Sequence, residues 1–130
     1  MTKQAISSPE APRALGPYSA AVRAGGLLFV SGQVPIDPAT GTLVDGDICA
    51  QTRRVLDNIG ALLKAAGLTF THVVRTTVFL SDLNDFTAMN ETYGAYFSPP
   101  FPARATVEVA RLPKNARIEV DVIASYDENT

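Results

Sequence analysis

The 130 residues hold a single cysteine, Cys49, and a single histidine, His72. Cys49 has no internal disulfide partner, so a reducing compartment and a cytoplasmic location are expected. A zinc site built from His and Cys within one chain is ruled out, and no metal is expected. A Ser-His-Asp triad would need His72 beside Ser31-Gly32, which also lacks the preceding glycine of a nucleophile elbow. No glycine-rich loop leads straight into a helix, which removes the common phosphate cradles. Charge of one sign is lacking too: eleven Lys and Arg against thirteen Asp and Glu give −2, and no basic stripe invites nucleic acid. No apolar run nears the roughly 18 residues that span a bilayer, and Met1 to Pro12 lacks the apolar core of a signal peptide. A soluble protein with no membrane partner is expected. What is present is ordinary globular usage, 46% apolar and 18% charged, in a length that fits one domain over residues 1–130.

Two short apolar runs, Ala20 to Ala24 and Leu27 to Ser31, flank Gly25-Gly26 and predict a β-hairpin. Gly32 to Gly46, punctuated by Pro35, Pro38 and Gly41, predicts a surface loop. Ile48, Val55, Ile59, Leu62 and Ala66 then recur at helical spacing, opening after Asp47 and stopping at Gly67. Val73 to Leu80 has the β-branched and aromatic content of a strand. Phe86, Met89, Tyr93, Tyr96 and Phe97 mark a second helix with Asn84 or Asp85 as cap, ended by Pro99, Pro100 and Pro102. Arg104 to Leu112 and Arg117 to Tyr126 alternate as two final strands joined by Pro113-Lys114-Asn115-Ala116. The order hairpin, helix, strand, helix, strand, strand predicts an α+β fold: one mixed β-sheet with both helices packed on its apolar face. Ala105, Val107 and Val109 would face the core. Arg75, Thr77, Arg104, Thr106 and Glu119 would then share the outward face with Phe29 and Phe79, a mixture that open water disfavours. A second copy of the chain is the simplest cover, and a site at such a seam would be shielded from bulk water.

Arg104, after Phe101-Pro102-Ala103, and Glu119, expected on the neighbouring strand and the same face, form the candidate pair. An arginine fork suits a carboxylate, and a glutamate can orient or deprotonate water. The same spacing fits a cross-strand salt bridge. Taken singly, Tyr18 fits a core or turn aromatic, Asn90 a solvated helix residue, Ser31 an end-of-strand hydroxyl and Thr106 a β-former. His72 fits a surface residue with no catalytic task.

Taken in order, these stretches resemble the reactive intermediate deaminase (RidA/YjgF) family. The matching residues are Gly16-Pro17-Tyr18, Val30-Ser31-Gly32-Gln33, Asp57-Asn58, Ala66-Gly67-Leu68, Thr76 to Leu80 and Asp82-Leu83-Asn84-Asp85-Phe86. They continue through Asn90-Glu91-Thr92-Tyr93, Phe101-Pro102-Ala103-Arg104, Val107 to Pro113 and Ile118-Glu119. The resemblance implies a chorismate-mutase-like fold assembled as a homotrimer with pockets at subunit interfaces. It also implies cofactor-free hydrolysis of enamines and imines such as 2-aminoacrylate to 2-oxo acids and ammonia. Arg104 would hold the substrate carboxylate and Glu119 would position the attacking water. Ser31 and the Gly32 backbone would line the pocket, with Tyr18, Asn90 and Thr106 shaping it.

Position 106 is threonine where many members of the family have cysteine, so thiol modification at the pocket is not available. The Ser98-Pro99-Pro100 loop is short, which bears on pocket access or substrate preference. Two other classes compete. A non-catalytic sensor of 2-oxo or related small acids would keep Arg104 without needing Glu119. RNA cleavage or translation inhibition, attached to some relatives, fits poorly with the acidic balance and the lack of a catalytic histidine arrangement.

Overall fold

A computed structural model of the chain describes residues 2–126. Its strands are β1 (Lys3–Ile6), β2 (Ala21–Ala24), β3 (Leu27–Gln33), β4 (Ile36–Asp37), β5 (Thr42–Leu43), β6 (Val73–Leu80), β7 (Ala103–Glu108) and β8 (Ile118–Ser125). The helices are α1 (Ile48–Ala65) and α2 (Phe86–Gly94). Six strands form one mixed sheet in the order β1-β2-β3-β8-β6-β7, and β4 and β5 form a separate two-stranded ribbon. The expected mixed sheet is thus present, with a first strand and the ribbon added. β1 is short and exposed, so it carries no alternation to betray it, and pairing with β2 alone defines it.

The hairpin turns where expected, with Gly25 at φ 61°, a conformation that costs glycine nothing. α1 opens on Asp47, whose side chain accepts a hydrogen bond from the Ala50 amide at 2.9 Å. Its Val55, Leu56, Ile59, Leu62 and Leu63 are fully buried against Leu28, Val30, Val78, Ile118, Val120 and Val122 of the sheet. α2 is shorter than expected and is not capped by a side chain at its start. Asp82 caps the preceding 3-10 turn instead, and Asp85 takes both oxygens to Arg117 at 2.9 and 3.1 Å. Among the described residues no helix is long and apolar enough to cross a membrane.

The expected adjacency of the last two strands is not found. β6 lies between them, parallel to β7 and antiparallel to β8. Alternation fixes which residues share a face but not which strands pair, and a parallel β6-α2-β7 crossover places β7 at the sheet edge. Facing partners in a sheet share a side, so the register assigns the faces. Thr76 and Val78 are buried under the helices and pair with Arg104 and Thr106. Arg104 and Thr106 therefore lie on the helix side, contrary to expectation, while Ala103, Ala105 and Val107 point outward. Glu119 pairs with outward Phe79. The edge position accounts for Arg104, which α2 covers through Phe86 and Tyr93 while leaving it half-exposed.

Candidate functional site

The seven residues singled out from the sequence fall into two groups on opposite sides of the sheet. On the outward side, Tyr18, Gly32 and Glu119 line a cleft of about 330 Å³ together with Arg13, Leu15, Val34, Ile36 and Lys114. A β-bulge creates it: three steps along β3 from Val30 to Gln33 oppose two along β8 from Val122 to Val120. The extra residue bends the strand at Ser31-Gly32. Ser31 holds the bend, its amide bonding the Ala20 carbonyl at 2.9 Å and its hydroxyl donating to the Ser19 carbonyl at 2.6 Å. It does not line the cleft. Gly32 leaves the space that Glu119 occupies, because a Cβ there would overlap Glu119 Oε2 and stand 2.9 Å from its Cδ.

Burial raises the Glu119 carboxyl above the usual glutamate range, and the charge of Asp121 adds to the effect. The group forms no ion pair among the described residues. A carboxylate in this state is a stronger base than one in water and retains a proton more readily. The far wall of the cleft is held by α1. Asn58, fully buried, donates from Nδ2 to the Ile36 carbonyl at 2.9 Å, and Gln51 Oε1 accepts from the Arg117 amide at 2.9 Å. Neither role was legible in the sequence, where both residues sit among the helix's apolar positions.

On the helix side, Arg104 and Asn90 line a hollow of about 290 Å³ with Tyr93, Phe101 and Pro102. The Arg104 guanidinium lies 4.9 Å from the Tyr93 ring centre and 5.7 Å from that of Phe86. These rings hold the plane of the fork, and Tyr93 also offers it a hydroxyl. No carboxylate pairs with it among the described residues. Tyr93 is fixed in turn by a 2.8 Å hydrogen bond between its hydroxyl and that of Thr76. Burial raises the Tyr93 phenol, with Thr76 and Arg104 pulling the other way. Asn90 Oδ1 and Thr106 Oγ1 are buried with no hydrogen-bond partner. Buried polar atoms are nearly always paired, so two orphans on the same side of the sheet as a guanidinium without a carboxylate partner mark a place suited to a polar ligand.

The salt bridge between Arg104 and Glu119 is therefore absent. Two strand spacings separate β7 from β8, roughly 10 Å, and three residues of offset along β6 add roughly 10 Å in the other direction. The side chains also leave opposite faces. One small acid cannot touch both within one chain. His72 stands apart from both groups: its Nδ1 accepts from the Thr69 amide at 3.1 Å, capping a 3-10 turn. Among the described residues no three His, Cys, Asp or Glu side chains converge.

Residues 8–126 match the family model described as Endoribonuclease L-PSP. The chain is 54% identical over 126 residues to protein DfrA of Myxococcus xanthus, covering 95% of this chain and 96% of that protein. It is 48% identical over 124 residues to the human 2-iminobutanoate/2-iminopropanoate deaminase, covering 95% and 90%. The crystal structure of the E. coli YjgF gene product superposes with a TM-score of 0.89 at 47% identity, covering 94% of this chain and 98% of that one.

Proposed function

The chain belongs to the endoribonuclease L-PSP family, which includes the RidA, RutC and YjgF proteins, and from that premise we propose that it is a cofactor-free imine deaminase. The substrate class is the 2-imino acid formed when an enamine such as 2-aminoacrylate tautomerises. Water adds to the C=N carbon, the nitrogen takes the proton, and the carbinolamine collapses to a 2-oxo acid and ammonia. One water is consumed and no electrons change hands.

The observation that carries the reading is the division of the site. An anion fork with two orphaned polar atoms lies on one side of the sheet, and a proton-retaining glutamate lies on the other. A single chain cannot complete the reaction, so the cleft of one copy receives the Arg104 side of another, in a homotrimer. Exposed apolar residues support this cover: Leu15 is 71% exposed, Phe101 61%, Tyr18 55%, and Phe29 and Val107 42% each. Ala105, Val107 and Phe79 on the outward face belong to the same surface.

In the assembled site Arg104 holds the substrate carboxylate bidentately, and Asn90 and Thr106 offer their unpaired oxygens to the imine N–H of the substrate or to water. Glu119 takes the proton of the attacking water and returns it to the departing amine, a task its raised pKa suits. Tyr18 and the Gly32 backbone close the cleft around it. Orientation of water and substrate supplies the remainder of the rate. Such chemistry fits a cytoplasmic setting where amino-acid metabolism releases enamines. RNA cleavage is not favoured, since the sole histidine caps a turn and the chain is net acidic.

The test is a coupled assay in which a pyridoxal-phosphate dehydratase generates 2-aminoacrylate and pyruvate release is timed. The parent accelerates release, Glu119→Gln retains pyruvate binding but loses turnover by roughly 10² or more, and Arg104→Ala loses both. A protein that binds pyruvate but never speeds its release is a sensor of small acids instead.

A further inference from the structure

The turn between β7 and β8 carries a feature that the deaminase reading leaves unused. Lys114 has φ 57° and ψ 21°, and Asn115 follows at φ 58°, so two consecutive non-glycine residues occupy the left-handed region. Asparagine tolerates this conformation, whereas lysine gains nothing from it. The turn is nevertheless firmly built. The Asn115 amide bonds the Leu112 carbonyl at 3.0 Å, the Ala116 amide bonds the Pro113 carbonyl at 3.1 Å, and Leu112 and Ala116 are buried at its two ends. A strained conformation that the surroundings enforce at the edge of a cleft points to use of the side chain it presents.

Lys114 lines the cleft together with Glu119 and Gly32, and Arg13 lines it as well. Neither cation forms an ion pair among the described residues. The chain as a whole is net negative, so two unpaired cations at one opening make a local field opposite to the overall charge. Glu119 is the acid lining the cleft, and its raised pKa weakens the negative charge it sets against them. Behind it on β8 stands Asp121, facing the same outward side.

We propose that Lys114, assisted by Arg13, is the capture residue of this cleft: it draws carboxylate-bearing substrates to the opening before Arg104 of a neighbouring copy fixes them. The assignment rests on the deaminase reading, whose substrates are anions. It gives Lys114 a role in kcat/KM and none in the chemical step. It also explains the strain, since a relaxed turn would carry the ammonium elsewhere. Weakly bound, the lysine releases the acid to the arginine fork, which a tighter pair would hinder.

The experiment compares the parent with Lys114→Gln, Lys114→Gly and Arg13→Gln. Imine hydrolysis is followed with substrate generated from alanine by an amino-acid oxidase in excess, and pyruvate binding is measured by calorimetry, each across a series of salt concentrations. Lys114→Gln is expected to lower kcat/KM roughly 3- to 10-fold at about 20 mM ionic strength, with the gap closing toward about 0.5 M, where charges are screened beyond a few ångströms. Its kcat stays within about twofold of the parent, and pyruvate affinity shows the same salt-dependent gap. Arg13→Gln shows a smaller gap of the same kind. Lys114→Gly loses capture equally while its thermal midpoint rises, because glycine relieves the left-handed strain; a residue needed only for structure would lose stability and kcat together. Parental kcat/KM in Lys114→Gln at low salt, or a deficit that salt does not change, overturns the assignment while leaving the deaminase reading intact. Salt- and Lys114-dependent pyruvate binding in a parent without turnover upholds capture and overturns the deaminase reading.

Discussion

Gly32→Ala isolates the position of one carboxylate from the stability of the fold. The new Cβ would overlap Glu119 Oε2 and approach Cδ to 2.9 Å and Cγ to 3.2 Å. Gly32 is not among the glycines with positive φ, so the backbone accepts alanine without strain. The flexible glutamate yields rather than the sheet. Replacing glycine by alanine stabilises by about 0.4 to 1 kcal/mol through the unfolded chain. Forcing Glu119 from its rotamer costs about 0.5 to 1.5 kcal/mol. The two nearly cancel, so the thermal midpoint should move by no more than about 4 °C. With Glu119 as the proposed general base, turnover should not be spared, since displacing such a base forfeits roughly 10² to 10⁴ in rate. The carboxyl also moves toward water, so its pKa should fall toward the ordinary glutamate range. The assays are steady-state imine hydrolysis and calorimetric melting on the same preparation, with a crystal structure to locate the side chain. A variant within twofold of the parent in kcat/KM, with Glu119 displaced, would refute the claim that this carboxylate handles the water.

Two further outcomes follow from the same geometry. Glu119 has a raised folded pKa, so the folded chain holds its proton better than the unfolded one; stability from this group is fully present below the ordinary glutamate pKa and is lost as pH rises through the folded value. Glu119→Gln should therefore gain stability relative to the parent across that rise in urea melts, and a relative loss would contradict the burial argument. Thr106→Val removes a buried hydroxyl that has no partner, so the free protein should be as stable or more stable by about 1 kcal/mol while pyruvate affinity falls; a drop in melting temperature would show that the hydroxyl is bonded after all.

Local signals in the chain were strong wherever one segment determines its own structure. The glycine pair turned the β2-β3 hairpin, Asp47 opened α1, and the apolar spacing from Ile48 onward named the buried face of that helix. The mixed sheet with helices on one side followed from the order of elements. Partner choice among strands was not legible. Ala105 and Val107 alternate as core residues would, yet they face outward, because β7 is an edge strand whose inner side is covered only by α2. Arg104 and Glu119 could be singled out as candidates from the sequence; that they stand on opposite faces required the register of β6 between them. The bulge at Ser31-Gly32 and the left-handed turn at Lys114 leave little trace in composition, since neither depends on a glycine at positive φ.

Complementation shows whether one active site takes Arg104 from one copy and Glu119 from another. Arg104→Ala and Glu119→Gln chains are each prepared as inactive assemblies, then unfolded together in equal amounts, refolded, and assayed for imine hydrolysis after mixed assembly is verified by mass spectrometry. In a closed ring each site draws one residue from each of two neighbours, so random mixing restores both in about a quarter of the sites. Recovery of about one quarter of the parental rate is expected. Mixed assemblies that remain as inactive as either variant alone would contradict it, because a site contained within one chain cannot be repaired by a neighbour.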